Sequence, residues 1–165
     1  MNIHIISVVP ELLESPFAHS IMKRADEKGL LKVTVHHLRK WAVNEYGMVD
    51  DYQFGGGAGM VMKPEPWGEA IDSALPRMEG IVDLIILTPA GRKFDQRYAE
   101  QLRTSQNLLF ACGRYEGIDA RVEQFYRDGE GIRVHEISIG DYVLRSEEHT
   151  SELQSHHDLV CRLLL

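Results

Sequence analysis

The first nine residues carry apolar side chains on both faces of a predicted strand. Ile3 and Ile5 fall on one face of an extended chain, and Ile6 and Val8 fall on the other. A strand that is apolar on both faces is typical of a parallel sheet with helices packed on each side. The pattern therefore predicts that this strand lies inside a parallel sheet and ends at Pro10.

A helix is predicted next, between Ser15-Pro16 and Gly29. Serine is favoured as an N-cap, proline at the first helical position, and glycine just past the end of a helix. Phe17, Ile21 and Ala25 recur at the spacing of one helix face. We therefore expect one continuous helix that carries these three residues on its apolar stripe.

The rest of the chain alternates strands with helices. An alternation of this kind is typical of the α/β class. It predicts an open, mostly parallel sheet with helices on both faces. The further strands are expected at residues 31–38, 81–88, 107–112 and 134–139, and the further helices at residues 64–75, 95–102 and 119–126.

Three of the predicted strands end in loops that contain glycine, namely Thr88–Arg92, Gly113–Gly117 and Ile139–Leu144. The carboxyl ends of parallel strands meet at one edge of a sheet, where α/β proteins usually bind ligands. We therefore expect the three loops to form a single ligand cleft. At Gly113 and Gly140 the missing side chain is expected to leave room for the ligand.

Residues 39–63 show neither a helical nor a strand period, and they contain the glycine-rich run Gly55–Gly59. A flexible linker usually carries serine, whereas this run is flanked by Phe54 and Met60. We expect an ordered, functional loop. The spacing fits neither a dinucleotide fingerprint nor a phosphate loop, because the third glycine and the Gly-Lys-Ser/Thr signature are missing.

Composition and charge narrow the choice of partner. The 165 residues are 44% hydrophobic and 26% charged, which fits one soluble globular domain. The formal net charge of -7 counts mildly against nucleic acid, although the basic pairs Arg39-Lys40 and Arg92-Lys93 could contact phosphates locally. Cys112 and Cys161 suggest neither a disulfide framework nor a zinc site and suit a reducing cytoplasm. No signal peptide or membrane span is expected.

The chain also carries four longer motifs, which are Val49–Met60, Thr88–Lys93, Gly113–Asp119 and Ser138–Leu144. In order and spacing they resemble the bacterial tRNA (guanine-N1)-methyltransferases, a SPOUT-class family with a trefoil knot. The resemblance covers Met1–Leu144. It implies transfer of a methyl group from S-adenosylmethionine to N1 of the guanosine immediately 3′ to the anticodon of a tRNA.

The resemblance also implies where the methyl donor binds. Glu116 resembles the carboxylate that faces the charged arm of the donor or an associated magnesium ion. Backbone groups of the three loops would hold the adenosine. The implied cofactor-binding residues are Pro89, Gly113, Tyr115, Glu116, Gly117, Ile139, Gly140, Asp141, Tyr142, Val143 and Leu144.

On the substrate side, the resemblance implies roles for Asp50, Gly57 and Gly59, with the glycine-rich loop closing over an extruded guanine. The implied partners are tRNA and a second copy of the chain, in a cytoplasmic homodimer. No protein metal site is expected.

The family pattern ends at Leu144. Residues 145–165 read like the in-frame translation of a sequencing adapter, so we expect an incomplete methyltransferase domain at 1–144 followed by a non-native tail. The aspartate and arginine that the family uses in catalysis lie beyond Leu144, as does its C-terminal tRNA-binding domain. No catalytic residue is therefore assigned, and this chain is expected to be inactive.

Two other functions remain open at this point. One is a SPOUT ribose 2′-O-methyltransferase, which the glycine-rich run and Gly113–Gly117 disfavour. The other is a nucleoside-binding or dimerisation module without catalysis. The methylated product would distinguish the two enzymes, and donor binding alone would test the module.

Overall fold

The computed structural model describes residues 1–53, 59–140 and 142. Its strands are β1 (Asn2–Ser7), β2 (Lys32–His37), β3 (Asp50–Tyr52), β4 (Met60–Met62), β5 (Val82–Lys93), β6 (Asn107–Cys112) and β7 (Ile132–Ser138). Its α-helices are α1 (Glu11–Phe17), α2 (Ser20–Glu27), α3 (Pro64–Ala74), α4 (Gln96–Leu102) and α5 (Ala120–Arg127). Short 3₁₀ helices occur at Leu38–Trp41 and Leu75–Arg77.

Five of the described strands form one sheet in the order β2-β1-β6-β5-β7, and every neighbouring pair is parallel. Strands β3 and β4 pair separately as an antiparallel hairpin. The α/β fold with a mostly parallel sheet is therefore confirmed.

The sheet is apolar on both faces, as the alternation in β1 predicts. Ile6 packs in a cluster with Trp67 of α3 and Val122 of α5 on one face. Ile5 packs in a second cluster with Leu13 of α1 and Leu102 of α4 on the other face. Ile5 and Ile6 are both fully buried, so adjacent residues of one strand serve opposite cores.

The prediction of one helix from Ser15-Pro16 to Gly29 is wrong at its start. The structure has two helices here, and Pro16 lies inside α1. Proline cannot donate its backbone hydrogen bond and disturbs the turn before it, and α1 ends at the next residue. A new helix begins at Ser20, which has a φ of 55°. The break changes the buried face, so Ile21 is 57% exposed while Met22 is buried. Gly29 follows the end of α2 with a φ of 65°, as expected.

The absence of a clear period in residues 39–63 concealed the β3–β4 hairpin. Each strand is only three residues long, which is too short for an alternation to be recognised. Asp50 pairs with Met62 and Tyr52 pairs with Met60, so the glycine-rich run connects the two strands. The hairpin brings both ends of that run back to the main body of the protein.

Candidate functional site

The three glycine-containing loops leave the sheet at one edge. Strand β5 lies between β6 and β7, with Ile86 beside Ala111 and Leu87 beside Ile137. Because the strands are parallel and in register, the segments that follow them start at the same level. The pairing confirms a shared edge for the loops that follow β6 and β7. The expected strand end at Thr88 is wrong, because β5 resumes its pairing with β7 at Arg92 and continues to Lys93.

The first loop is a bulge within β5. The partner of Ile137 changes from Leu87 to Arg92, so the four intervening residues loop out of the ladder. Pro89 lies in this bulge and is exposed. A Cβ atom on Gly91 would lie 2.5 Å from the backbone nitrogen of Ile137. Glycine is therefore required for the bulge to pack against β7.

The second loop, Gly113–Gly117, is called the β6 loop below. It turns tightly, because the N–H of Gly117 donates to the carbonyl of Arg114 at 3.1 Å. Tyr115 has a φ of 60°, which is uncommon for a residue with a side chain, and Gly117 has a φ of 108°. Glu116 is the exposed residue between them. The loop thus presents a tyrosine and a carboxylate from a backbone held in an unfavourable conformation.

The reason expected for glycine at position 113 is wrong. A Cβ atom on Gly113 would lie 2.8 Å from Cγ1 of Ile118, which belongs to the same chain. Glycine is needed here because the loop folds back on itself, and the space is already filled by protein.

The third loop follows β7, and there too protein fills the space beside the glycine. The hydroxyl of Ser138 donates to the carbonyl of Gly140 at 2.7 Å and accepts from its N–H at 3.3 Å. A Cβ atom on Gly140 would overlap the ring of Tyr142, which is itself 55% exposed. Protein rather than free space therefore lies beside Gly140. Ile139 is partly buried, and Asp141, Val143 and Leu144 lie outside the described residues.

The substrate residues suggested by sequence lie on the hairpin side of the β6 loop. Gly59, with a φ of 97°, packs so closely that a Cβ atom would lie 2.6 Å from Cγ of Glu116. Asp50 starts β3 opposite Met62. Gly57 lies outside the described residues. The structure therefore brings Gly59 into contact with Glu116 and places Asp50 at the far end of the same hairpin.

Backbone hydrogen bonds join the hairpin to the β6 loop. The N–H of Glu116 donates to the carbonyl of Met60 at 2.9 Å, and the N–H of Met62 donates to the carbonyl of Gly117 at 3.0 Å. The N–H of Asp119 then donates to the carbonyl of Met62 at 3.1 Å. Sequence reasoning missed this connection, although the apolar Met60-Val61-Met62 after a glycine run could have indicated a strand.

A cleft of about 460 Å³ opens between the hairpin and the segment that follows the β6 loop. Its walls include Tyr52, which is 78% exposed, and Glu116. Lys63 contacts Asp51 at 2.8 Å in one wall. An aromatic ring beside charged groups gives this cleft the means to hold a polar, planar ligand.

The charged pairs of the cleft keep two carboxylates ionised. The hydrogen bond from Lys63 lowers the pKa of Asp51. The hydrogen bonds from Arg121 lower the pKa of Asp119, the residue that caps α5. A lowered pKa makes a carboxylate a weaker proton acceptor.

The thiol of Cys112, near this edge, is not reactive. Cys112 ends β6 beneath the loop, and burial raises the pKa of its thiol to about 12. It therefore stays protonated and unreactive.

Within residues 1–53, 59–140 and 142, no three histidine, cysteine or acidic residues converge on a possible metal position. None of the described helices is long and apolar enough to cross a membrane.

Comparison with known proteins identifies relatives of the whole described region. A family profile described as "tRNA (Guanine-1)-methyltransferase TrmD" matches residues 1–164. The chain is 46% identical over 149 residues to a tRNA (guanine-N(1)-)-methyltransferase of Paenarthrobacter aurescens, covering 90% of this chain and 55% of that protein. It is 46% identical over 148 residues to the protein of the same name in Azobacteroides pseudotrichonymphae, covering 90% and 64%.

A relative with lower sequence identity carries the same name. The protein of the same name in Dictyoglomus turgidum is 43% identical over 148 residues, covering 90% of this chain and 56% of its own length. The chain thus spans between 55% and 64% of the length of these three relatives.

Proposed function

The chain belongs to the tRNA (guanine-1)-methyltransferase family, and we propose that it forms the donor-binding part of an enzyme that methylates N1 of the guanosine immediately 3′ to the anticodon. One observation carries the proposal. The β6 loop, which resembles the donor loop of the family, is hydrogen-bonded to the hairpin that carries the glycine-rich run. These contacts support a proposal in which the donor and acceptor sites are adjacent, as a direct transfer requires.

Two features of the β6 loop support S-adenosylmethionine as the ligand in this proposal. A Cβ atom on Gly117 would meet nothing within 4 Å, so the β6 loop is open on that side. In the same loop, Nε of Arg114 is buried without a hydrogen-bond partner. The open side of the loop leaves room for a ligand, and the unpaired guanidinium nitrogen is a donor that a polar nucleoside could use.

In this proposal the three loops hold the donor. Backbone groups of Gly113 and of 139–144 surround the adenosine, and Pro89 and Tyr115 form walls of the pocket. Glu116 faces the ammonium group of the donor or a magnesium ion. When bound, S-adenosylmethionine supplies an electrophilic methyl group on a sulphonium ion. The protein contributes by holding this group in line with guanine N1 and by excluding water.

The substrate side of the proposal uses the hairpin. A stacked guanine must leave its neighbours before its N1 can be reached. Asp50, Gly57 and Gly59 are proposed to receive it, with the glycine-rich run closing over the base. The exposed ring of Tyr52 at the cleft is available for stacking on an adjacent base.

Proton removal from N1 is proposed to depend on residues outside 1–144. The cleft aspartates Asp51 and Asp119 are each paired with a cation, which makes them weaker proton acceptors. The proposal has three further parts. The family aspartate and arginine belong after Leu144, residues 145–165 do not supply them, and the complete enzyme is a cytoplasmic, knotted homodimer with a further tRNA-binding domain.

The product of a single turnover tests this function. The chain is compared with a version whose residues after Leu144 are replaced by the corresponding segment of a relative, using tRNA transcript and radiolabelled donor. The extended protein should form N1-methylguanosine, and the chain as it stands should be slower by about a hundred- to ten-thousandfold, the usual cost of losing a general base. A 2′-O-methylated product would instead show a ribose methyltransferase. No methylation by either protein would favour a non-catalytic module, and rapid turnover by the unextended chain would refute the placement of the base.

A further inference from the structure

We propose that Met62 is a positioning residue that holds the β6 loop in the shape that binds the methyl donor. The inference rests on the proposed function, because it assumes that this loop contacts S-adenosylmethionine. It assigns to the thioether of Met62 a role in recognition as well as in packing.

Met62 contacts the β6 loop and its continuation with three different groups. The N–H of Arg114 donates to its Sδ atom at 3.0 Å. Its own N–H donates to Gly117 at 3.0 Å, and its carbonyl accepts from Asp119 at 3.1 Å. One residue thus contacts the loop near its start, at its end and just beyond it.

The contact through sulphur lies next to the most unfavourable backbone of the loop. Arg114 directly precedes Tyr115, whose φ of 60° persists only when the surroundings impose it. Side chain and backbone of Met62 fix the residues on both sides of Tyr115. Met62 is fully buried, and its sulphur is the acceptor that the structure gives to the N–H of Arg114. Without the sulphur, this N–H would lose that acceptor and the turn would be free to relax.

The same contacts connect the β6 loop to the strand that follows the glycine-rich run. Met62 lies on β4, which leads out of the glycine-rich run, and the preceding Met60 accepts from Glu116. Gly59 packs against the side chain of that glutamate. A shift of β4 would therefore move Glu116, so Met62 links the positions of the two loops.

Two substitutions separate positioning from packing. Met62→Leu keeps an apolar side chain but removes the sulphur acceptor. Met62→Gln is similar in length and provides an amide oxygen for the N–H of Arg114, at a cost in stability because it buries a polar group. Met78→Leu is the matched control, since Met78 is buried in the same core cluster and makes no sulphur contact with the β6 loop among the described hydrogen bonds.

Binding of S-adenosylhomocysteine to the full chain is measured by calorimetry, beside a thermal melt of each variant. Met62→Leu should raise the dissociation constant about tenfold, whereas Met78→Leu should leave it unchanged at a comparable melting temperature. Met62→Gln should melt lower yet bind more tightly than Met62→Leu.

The inference is overturned if Met62→Leu binds like the unmodified chain, or if Met62→Gln binds no better than Met62→Leu. Either result leaves the proposed function intact, because the unmodified chain still binds. If the unmodified chain itself fails to bind, the proposed function fails and the inference fails with it.

Discussion

Replacing Gly113 with valine is expected to raise the dissociation constant of S-adenosylmethionine roughly a hundredfold, because overpacking would shift the β6 loop and remove about 3 kcal/mol of binding free energy. A Cβ atom at this position would lie 2.8 Å from Cγ1 of Ile118, and valine adds two further methyl groups. Ile118 is β-branched and follows directly on the β6 loop, so it cannot yield without moving that loop. The effect on the donor is thus indirect, through the shape of the loop.

The matched control is Gly68→Ala in α3. A Cβ atom on Gly68 would make only an ordinary contact, 3.9 Å from the hydroxyl of Tyr126. This variant should bind the donor like the unmodified chain in the same calorimetric experiment. Unchanged binding by Gly113→Val would mean that the β6 loop does not contact the donor.

Replacing Asp83 with leucine is expected to lower the free energy of unfolding by about 2–4 kcal/mol at pH 7. The carboxylate is 1% exposed, accepts from His135 at 2.7 Å and from Arg133 at 2.8 Å, and links β5 to β7. His135 in turn contacts the hydroxyl of Tyr98 at 2.8 Å. Leucine would leave His135 and Arg133 without this acceptor. Asp83 lies on β5 and its two partners lie on β7, the strands that carry two of the three loops.

The lowered pKa of Asp83 predicts how its contribution to stability depends on pH. Burial alone would raise the pKa of Asp83, but hydrogen bonds from His135, Ser105 and Arg133 outweigh it and lower the pKa to about 2. Since the folded pKa lies below the unfolded value, the stabilisation is complete above about pH 4 and is lost as the pH falls through about 2. Urea unfolding should show a constant difference between variant and unmodified chain from pH 7 to pH 5, and a smaller one at pH 3.

Asp26→Leu is the control for Asp83→Leu, because Asp26 is exposed on α2. It should change the free energy of unfolding by less than about 1 kcal/mol. Equal effects of the two substitutions would show that the Asp83 network contributes nothing specific.

The strands of the sheet could be predicted because their apolar runs are long and continuous. Strand β6 is buried at all six positions and was recognised at its observed bounds, Asn107–Cys112. Local signals were less reliable where two of them competed. Ser15-Pro16 has the form of a helix start, but α1 had already begun at Glu11, so the capping signal was misleading.

The sheet edge that carries the candidate site could be predicted from sequence, but the contacts within it could not. Glycines followed by charged residues at three strand ends indicated the edge. The partner of each glycine depends on tertiary packing, so Ile118 beside Gly113 and Tyr142 beside Gly140 were not foreseeable. Met62 was missed for the same reason, because its neighbours in sequence do not reveal that its sulphur meets Arg114.

An NMR titration of the ¹⁵N-labelled chain with S-adenosylhomocysteine tests whether the donor binds at the carboxyl edge of β5, β6 and β7, as we propose. The largest amide shifts are expected at Gly113, Tyr115, Gly117 and Ile139, with small shifts at the opposite end of the sheet around Asn2 and Asn107. Saturable shifts confined to that opposite end, or to the hairpin cleft around Tyr52, would contradict it, and so would the absence of any shift at saturating ligand.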